Sequence, residues 1–153
     1  MNNLDIQLVS QLASIPSKEK FQAWIDAVLQ SAEEDSEIVI RVIDEPEMIQ
    51  FNEQYRHKSG STNILSFPFD APEGVGSDLL GDLLVCAPVV EREAMQQNKQ
   101  IEHHWAHMIV HGTLHLLGYD HADDKDAEEM EASEIKILKT IKINNPYEEI
   151  YNT

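Results

Sequence analysis

At 153 residues and 42% hydrophobic content, the chain is long enough to bury one core and has the size of a single domain. Its 28 acidic and 11 basic residues give a net charge of −17, which opposes binding to RNA by bulk electrostatics, so a role on RNA needs a local basic pocket, a metal or a docking partner. The longest nearly apolar stretch, Trp105 to Leu117, is too short to span a bilayer, and no signal peptide is expected at the N-terminus.

The first half of the chain predicts three strands and two helices. Alternating or β-branched residues predict the strands, and apolar stripes behind capping residues predict the helices. In chain order these are a strand over Leu4–Val9, a helix over Lys18–Ser31, a strand over Ile38–Ile43, a helix over Glu45–Tyr55 and a strand over Asn63–Phe69. Pro68 indicates that the last strand lies at a sheet edge or ends its pairing there.

The second half predicts one strand and three helices. These are a strand over Leu80–Ala87 and helices over Val89–Gln97, Ile101–Leu117 and Asp123–Ile141. Cys86, the lone cysteine, is predicted to be a buried apolar residue. A single cysteine cannot form an internal disulfide, which suits a reducing cytoplasm. The last helix is expected to turn its apolar residues inward and its acids outward, the inward ones being Ala127, Met130, Ile135 and Leu138.

The order of these elements predicts an α+β fold. Strands and helices are mixed without strict alternation, which favours one mixed sheet of about four strands packed with about five helices. We expect a single domain over residues 1–153, with residues 145–153 as a flexible tail.

Three histidines are spaced as metal ligands would be, at the end of the fourth predicted helix. His111 and His115 lie four residues apart, so a helix places both imidazoles on one face. Gly118 ends the helix and allows a left-handed turn that can return His121 to the same ion. Three neutral imidazoles leave one position of a tetrahedral zinc open to water, which is the catalytic pattern, although they also suit nickel, copper or iron.

The other histidines of this helix, and one neighbouring glycine, limit the interpretation. His103, His104 and His107 have no turn with which to converge, so we interpret them as a polar helix face, although His107 lies one turn before the site. The spacing H-x₃-H-x₂-G-x₂-H also matches metzincin peptidases, but Gly112 stands where those enzymes carry their glutamate general base. The pattern therefore supports the metal geometry and weakens a peptidase mechanism.

Residues outside the histidines suggest substrate contacts but leave alternatives open. Arg56 is either a phosphate ligand, because its planar fork binds two phosphate oxygens, or a surface arginine that ends a helix. Further candidates for substrate contacts, which a solvated or capped turn explains nearly as well, are His57, Lys58, Thr62, Asn63 and Ser66. Two carboxylates are candidates to line the site or orient an imidazole, namely Asp82 and Asp120.

Taken together, these segments resemble the YbeY family of bacterial ribosomal-RNA maturation endoribonucleases. The block HGTLHLLGYDH over residues 111–121 is similar to the signature of that family. Tyr55-Arg56 followed by TNILSFPF over residues 62–69 is similar to its second characteristic segment. The short Leu80-Gly81-Asp82 and the run WAHM over residues 105–108 are also family-like.

The resemblance implies a function that the composition alone would not suggest. It implies one metal, usually zinc, and cleavage of single-stranded RNA in 16S rRNA 3′-end maturation and ribosome quality control. It further implies a cytoplasmic protein, without a membrane role, that associates with the small ribosomal subunit, its proteins and the GTPase Era. Arg56 and His111 match the residues most closely tied to activity in the family.

Two other functions remain as alternatives from the sequence. One is a zinc peptidase with metzincin-like site geometry, and the other is a non-catalytic ribosome-assembly factor with a structural zinc. Structural zinc is usually closed by four protein ligands, which three histidines do not supply. The eight acids between Asp120 and Glu134 are either a solvated helix face or a surface that docks a basic ribosomal protein.

Overall fold

The computed structural model describes residues 2–29, 36–69, 79–119 and 123–147. Within them the strands and helices follow the predicted order, and their ends differ from the predicted ones by a few residues at most. The strands are β1 (Asn3–Leu8), β2 (Glu37–Ile43), β3 (Ile64–Pro68) and β4 (Leu79–Cys86). The helices are α1 (Lys18–Leu29), α2 (Glu45–Phe51), α3 (Ala87–Gln96), α4 (Ile101–Leu116) and α5 (Asp124–Thr140).

The four strands form one mixed sheet in the order β1-β2-β4-β3. Strands β1, β2 and β4 run parallel, and β3 pairs antiparallel with β4 at the edge. Pro68, which has no N–H to donate, is the last residue of this edge strand, as its chemistry predicts. The prediction of an α+β domain with one mixed sheet of four strands and five helices is therefore confirmed.

Helices pack against both faces of the sheet, and the face opposite α4 is covered only in part. Ile40, Leu83 and Val85 point from the central strands into the main core, where α1 and α4 pack on them. The largest fully buried side chains there are Trp105 and Phe21, which meet edge to face with ring centroids 5.8 Å apart. On the opposite face a smaller cluster lies under α2 and α3: Ile43, Met48, Leu65, Leu84, Cys86 and Val89. The burial of Cys86 agrees with its predicted role as an apolar residue.

The second helix ends differently from the prediction. Instead of one α-helix to Tyr55, α2 stops at Phe51 and a π-helical turn continues over Asn52–Arg56. His57 then takes a left-handed conformation with φ 55°, which ends the turn. The buried Asn52 side chain donates to the Gly60 carbonyl at 3.0 Å and ties the turn to the loop before β3. A π-turn widens the helix by one residue, and such turns occur frequently at functional sites.

None of the helices in the described ranges is long and apolar enough to cross a membrane. The predicted ligand His121, its neighbour Asp120 and residues 148–153 of the predicted tail lie outside the described residues.

Candidate metal centre

Helix α4 brings two of the predicted ligands together. The Nε2 atoms of His111 and His115 lie 3.2 Å apart, and their rings meet nearly at right angles with centroids separated by 4.7 Å. The four-residue spacing produces this contact, because one turn of α-helix stacks the two side chains on the same face. Gly118 follows the helix with φ 104°, so the left-handed turn predicted at this glycine is present.

The other ring nitrogens decide which protons these imidazoles carry. His115 Nδ1 lies 2.9 Å from the Tyr119 carbonyl oxygen, which can only accept, so Nδ1 carries the proton. His111 Nδ1 lies 2.8 Å from Glu134 Oε1, and an ionised carboxylate likewise only accepts. In the neutral imidazoles, both Nε2 atoms therefore present lone pairs to each other at 3.2 Å. Two facing lone pairs at that distance are suited to a shared cation.

This separation fits a metal ion of the expected size. Two nitrogen ligands at 2.0–2.1 Å from a tetrahedral zinc are about 3.3 Å apart, close to the distance between the two Nε2 atoms. Glu134 on the Nδ1 of His111 completes a carboxylate–histidine pair of the kind that orients metal-binding imidazoles and raises their basicity. The donor set is therefore chemically suited to zinc.

Glu134 corrects the prediction that all acids of the last helix face outward. Its side chain is 0% exposed, and it lies beneath the histidine face of α4. Its carboxylate accepts three hydrogen bonds: from His107 Nε2 at 2.7 Å, from His111 Nδ1 at 2.8 Å and from the Tyr147 hydroxyl at 2.6 Å. Burial is possible because these donors replace the water that an ionised carboxylate otherwise requires.

The pKa of Glu134 reflects this balance of opposing effects. Burial raises the pKa of the carboxyl group, but the hydrogen bonds from His107, His111 and Tyr147 outweigh it and lower the pKa to about 2. Burial and the neighbouring carboxylate raise the pKa of the Tyr147 hydroxyl, so it remains a donor. Burial also lowers the pKa of His107, although its hydrogen bond to Glu134 acts in the opposite direction. Glu134 is therefore ionised beneath the site at neutral pH.

His107 is more than the polar helix face that its position suggested. Its ring is 7% exposed, and one ligand-capable atom from each of His107, His111 and Glu134 lies within 4.8 Å of the others, so these residues cluster as a possible metal site. The same atoms already form hydrogen bonds of 2.7 and 2.8 Å, however, and an ion between them would have to displace those bonds. The Nε2 atoms of His111 and His115, 3.2 Å apart, are a second pair of nitrogen atoms close enough to share one ion.

His104 and Asn63 form a second buried network beside the first. His104, also predicted as part of a polar helix face, is 3% exposed, and its Nε2 lies 2.9 Å from Glu93 Oε1. The Asn63 amide donates to the same carboxylate at 3.1 Å, and its oxygen accepts from the Ile64 N–H at 2.7 Å. Asn63, which was predicted as a substrate contact, is thus occupied in joining β3 to α3.

Close packing around position 112 accounts for a glycine where metzincin peptidases carry their glutamate base. A Cβ atom there would lie 2.6 Å from Ile64 Cδ1 and 2.9 Å from Leu83 Cδ2, so the glycine allows α4 to pack closely on β3 and β4. The Ser66 hydroxyl, another predicted substrate contact, donates to the Gly112 carbonyl at 3.3 Å across this junction. A glutamate at position 112 would collide with these side chains at its first carbon atom.

The basic candidates lie together at the end of the π-helical turn. Arg56, His57 and Lys58 are all exposed, and Thr62 is partly buried. Among the described residues, no hydrogen bond or ion pair holds the Arg56 guanidinium. Asp82 lies on the sheet face turned away from α4, because Gly81 and Leu83 beside it face the helix; this placement does not support its predicted role beside the histidines. Burial raises the pKa of the Asp82 carboxyl group.

Sequence reasoning missed Glu134, the role of His107, and Tyr147. Tyr147 falls in the segment predicted as a flexible tail, yet its hydroxyl reaches Glu134. The signal for Glu134 was present in the spacing, because it lies four residues from both Met130 and Leu138, the apolar side chains that the described part of α5 buries fully. An acid inside an apolar stripe indicates a partner on the facing helix.

The protein therefore combines an α+β fold with a candidate metal centre. That centre consists of two converging imidazoles with a buried carboxylate behind them. The family described as Endoribonuclease YbeY matches residues 6–142 of the chain. The chain belongs to this YbeY endoribonuclease family. Membership of this family indicates that the protein is a metal-dependent endoribonuclease that acts in rRNA processing.

The fold is also that of a solved relative. The solution structure of TM1509 from Thermotoga maritima is similar with a TM-score of 0.59 and 24% sequence identity. The alignment covers 100% of this chain and 99% of that chain. At this identity the likeness establishes the fold.

Proposed function

We propose that this protein is a single-strand-specific, zinc-dependent endoribonuclease that matures the 3′ end of 16S rRNA. Membership of the YbeY family supports the reaction class. Within that class we assign it to ribosome biogenesis and late-stage 70S ribosome quality control, in the cytoplasm. Its proposed partners are single-stranded RNA, the small ribosomal subunit with its proteins, and the GTPase Era.

The observation that carries the proposal is the pair of facing Nε2 atoms. We assign His111 and His115 as two ligands of the metal, with His121 from the following turn as the third. When bound, zinc supplies an acidic water and polarises a phosphoryl oxygen. The protein's own contribution is to fix both Nδ1 protons, through Glu134 on His111 and the Tyr119 carbonyl on His115, so that the lone pairs stay directed at the ion.

Arg56 is proposed to bind the phosphate that is cut. Its guanidinium is exposed, and neither a hydrogen bond nor an ion pair engages it in the described part of the chain. In a protein of net charge −17, an arginine without a carboxylate partner is available for an anion. Its planar fork can hold two phosphate oxygens and stabilise charge that develops at phosphorus. His57, Lys58 and Thr62 are proposed as weaker contacts along the same segment.

The packing at Gly112 disfavours the alternative of a zinc peptidase. A general base for peptide hydrolysis would have to reach water at the metal, and the position that carries it in metzincins is filled by the side chains of β3 and β4. Another acceptor would be needed, and Glu134, the nearest carboxylate described, already accepts three hydrogen bonds.

The strong negative charge suggests how the enzyme reaches its substrate. The helix α5 and its N-cap residue Asp123 carry exposed acids, including Asp124 and Glu128, which would repel RNA but attract a basic protein. We propose that this acidic surface docks a basic ribosomal protein. Charge reversal at these three positions should reduce association with the small subunit, and unchanged association would contradict the docking proposal.

Cleavage of end-labelled single-stranded RNA tests the nuclease assignment. Wild type is compared with Arg56→Ala and His111→Ala, and with Arg92→Ala as a matched control, because Arg92 is an exposed arginine on α3 that pairs with Glu45. We expect chelator-sensitive cleavage by wild type and the control, and loss of cleavage in both site variants.

The outcome also separates the alternative functions. If all four proteins cut alike, the activity is a contaminant and the non-catalytic assembly factor becomes the better account. If wild type instead digests a denatured protein in a chelator-sensitive manner, the peptidase alternative is supported in place of the nuclease.

A further inference from the structure

The partly covered face of the sheet contains a groove that the metal centre does not use. It has a volume of about 420 Å³ and lies on the side opposite α4. Its lining residues come from all four strands, α2 and the π-helical turn: Gln7, Val39, Arg41, Phe51, Tyr55, Phe67, Asp82 and Leu84. The groove therefore adjoins the turn that carries Arg56.

Three aromatic rings form one wall of this groove. Phe51 and Tyr55 are stacked with an interplanar angle of 19°, and Tyr55 meets Phe67 edge to face with centroids 5.4 Å apart. Packing on the smaller core accounts for Phe51 and Phe67, but the Tyr55 ring is 51% exposed. An exposed ring held rigid by two neighbours can stack a base at a low cost in conformational entropy.

One positive and one negative side chain, Arg41 and Asp82, line the groove on the sheet surface beside these rings. Asp82 on β4 pairs in register with Phe67 on one side and Val39 on the other, so its carboxylate stands next to the aromatic wall. Arg41 lies two residues along β2 on the same face, next to Gln7 of β1. The two charges do not form an ion pair with each other, and within the described residues neither has another charged partner. Both are therefore available to a ligand.

We propose that this groove binds a guanine base of single-stranded RNA, stacked on Tyr55 and read by Asp82, with Arg41 on an adjacent phosphate. This inference rests on the proposed function, since it names a contact of the same RNA substrate. Guanine presents two adjacent N–H donors on its Watson–Crick edge, which match the two oxygens of one carboxylate. Uracil presents a single N–H between two carbonyl acceptors, which the carboxylate repels.

The arrangement also explains how an acidic protein holds RNA at this face. A carboxylate repels phosphate, so Asp82 can contribute only through a base that donates to it, and this makes the contact selective. The stacking ring supplies affinity that does not depend on charge. Arg41 is the one cation among the lining residues, and it lies on β2, which is paired on both sides by β1 and β4.

Fluorescence anisotropy in EDTA measures this binding without cleavage. The probes are a labelled short oligouridine and the same strand with one central guanosine. We expect wild type to bind the guanosine strand about tenfold more tightly. Asp82→Asn should abolish this preference, whereas Asp26→Asn on the far helix α1 should retain it. Tyr55→Ala should weaken binding of the guanosine strand about tenfold, and Tyr55→Phe should restore it because the ring is kept.

Arg41→Gln and Arg92→Gln form a charge-matched pair for the phosphate contact. Only the first should weaken binding of both strands, because Arg92 lies outside the groove and pairs with Glu45. Equal affinity of wild type for the two strands, or a preference that survives Asp82→Asn, would overturn the proposal. These measurements need no metal and no cleavage, so they test the groove proposal separately from the nuclease assignment. If the protein cuts RNA but binds both strands equally, only the groove proposal is refuted.

Discussion

Replacing Glu134 with glutamine tests the carboxylate beneath the candidate metal centre. The substitution keeps the shape of the side chain but removes the charge and leaves one acceptor oxygen for three donors. The amide group would also present its own N–H to one of those donors. His111 would then lose the partner that holds its Nδ1 proton and directs its Nε2 lone pair.

The magnitude follows from the pKa and from the contact to His111. A fall in the pKa from 4.5 to about 2 corresponds to about 3 kcal/mol of stabilisation of the ionised form, at about 1.36 kcal/mol per pKa unit. We therefore expect the metal-free Glu134→Gln protein to lose about 3 kcal/mol of unfolding free energy. Loss of an orienting carboxylate should also weaken metal binding by about 10–100-fold.

Urea unfolding of the metal-free protein and competition titration of zinc against a chelator measure the two effects. Glu128→Gln is the matched control, because it makes the same change of charge at an exposed position of the same helix. If Glu134→Gln and Glu128→Gln bind zinc with the same affinity as wild type, Glu134 does not orient His111 and our account of the centre is wrong.

Three further predictions concern packing, pH and the phosphate contact. Gly81→Ala should destabilise the protein by at least about 2 kcal/mol in urea unfolding, because φ is 152° and a Cβ would lie 2.3 Å from the Phe67 carbonyl oxygen; wild-type stability would contradict this packing. Burial raises the pKa of Glu93, but hydrogen bonds from His104 and Asn63 outweigh this effect and hold the pKa below 4.5. Glu93 therefore stabilises the fold above about pH 4.5, and this stabilisation is lost as the pH falls through its folded-state pKa. Glu93→Gln should therefore be less stable than wild type at pH 7, with the difference shrinking on acidification below about pH 4.5, and a difference that is constant with pH would refute the assignment. Arg56→Lys should lower the rate of RNA cleavage by about tenfold or more, because an ammonium group cannot bind two phosphate oxygens as a fork, and cleavage at the wild-type rate would remove Arg56 from the site.

Local sequence patterns were sufficient to predict most of the fold. Apolar periodicity located the helices and strands, and Pro68 marked the edge strand, because each signal depends on a few neighbouring residues. The contact between His111 and His115 was equally local, since one helical turn fixes it. The π-helical turn was not predicted, because a single inserted residue scarcely changes the apolar pattern of a short helix.

Contacts between distant segments were beyond the same reasoning. Glu134 is separated from His111 by 23 residues and from His107 by 27, so their pairing depends on how α5 packs against α4. Tyr147 lies a further 13 residues along the chain, in the segment predicted as a flexible tail. The local sequence of each residue does not identify its partners, and only the packing of the helices brings them to one carboxylate.

Stepwise addition of zinc to metal-free protein, with RNA cleavage measured at each addition, tests the central claim most directly. The account predicts that cleavage rises with zinc and reaches a plateau at one equivalent, and that His115→Ala neither binds the ion tightly nor cuts RNA. His103→Ala, a histidine of the same helix outside the site, should behave as wild type. Cleavage by the metal-free protein, or full activity of His115→Ala, would contradict the claim that a metal at the paired imidazoles drives the reaction.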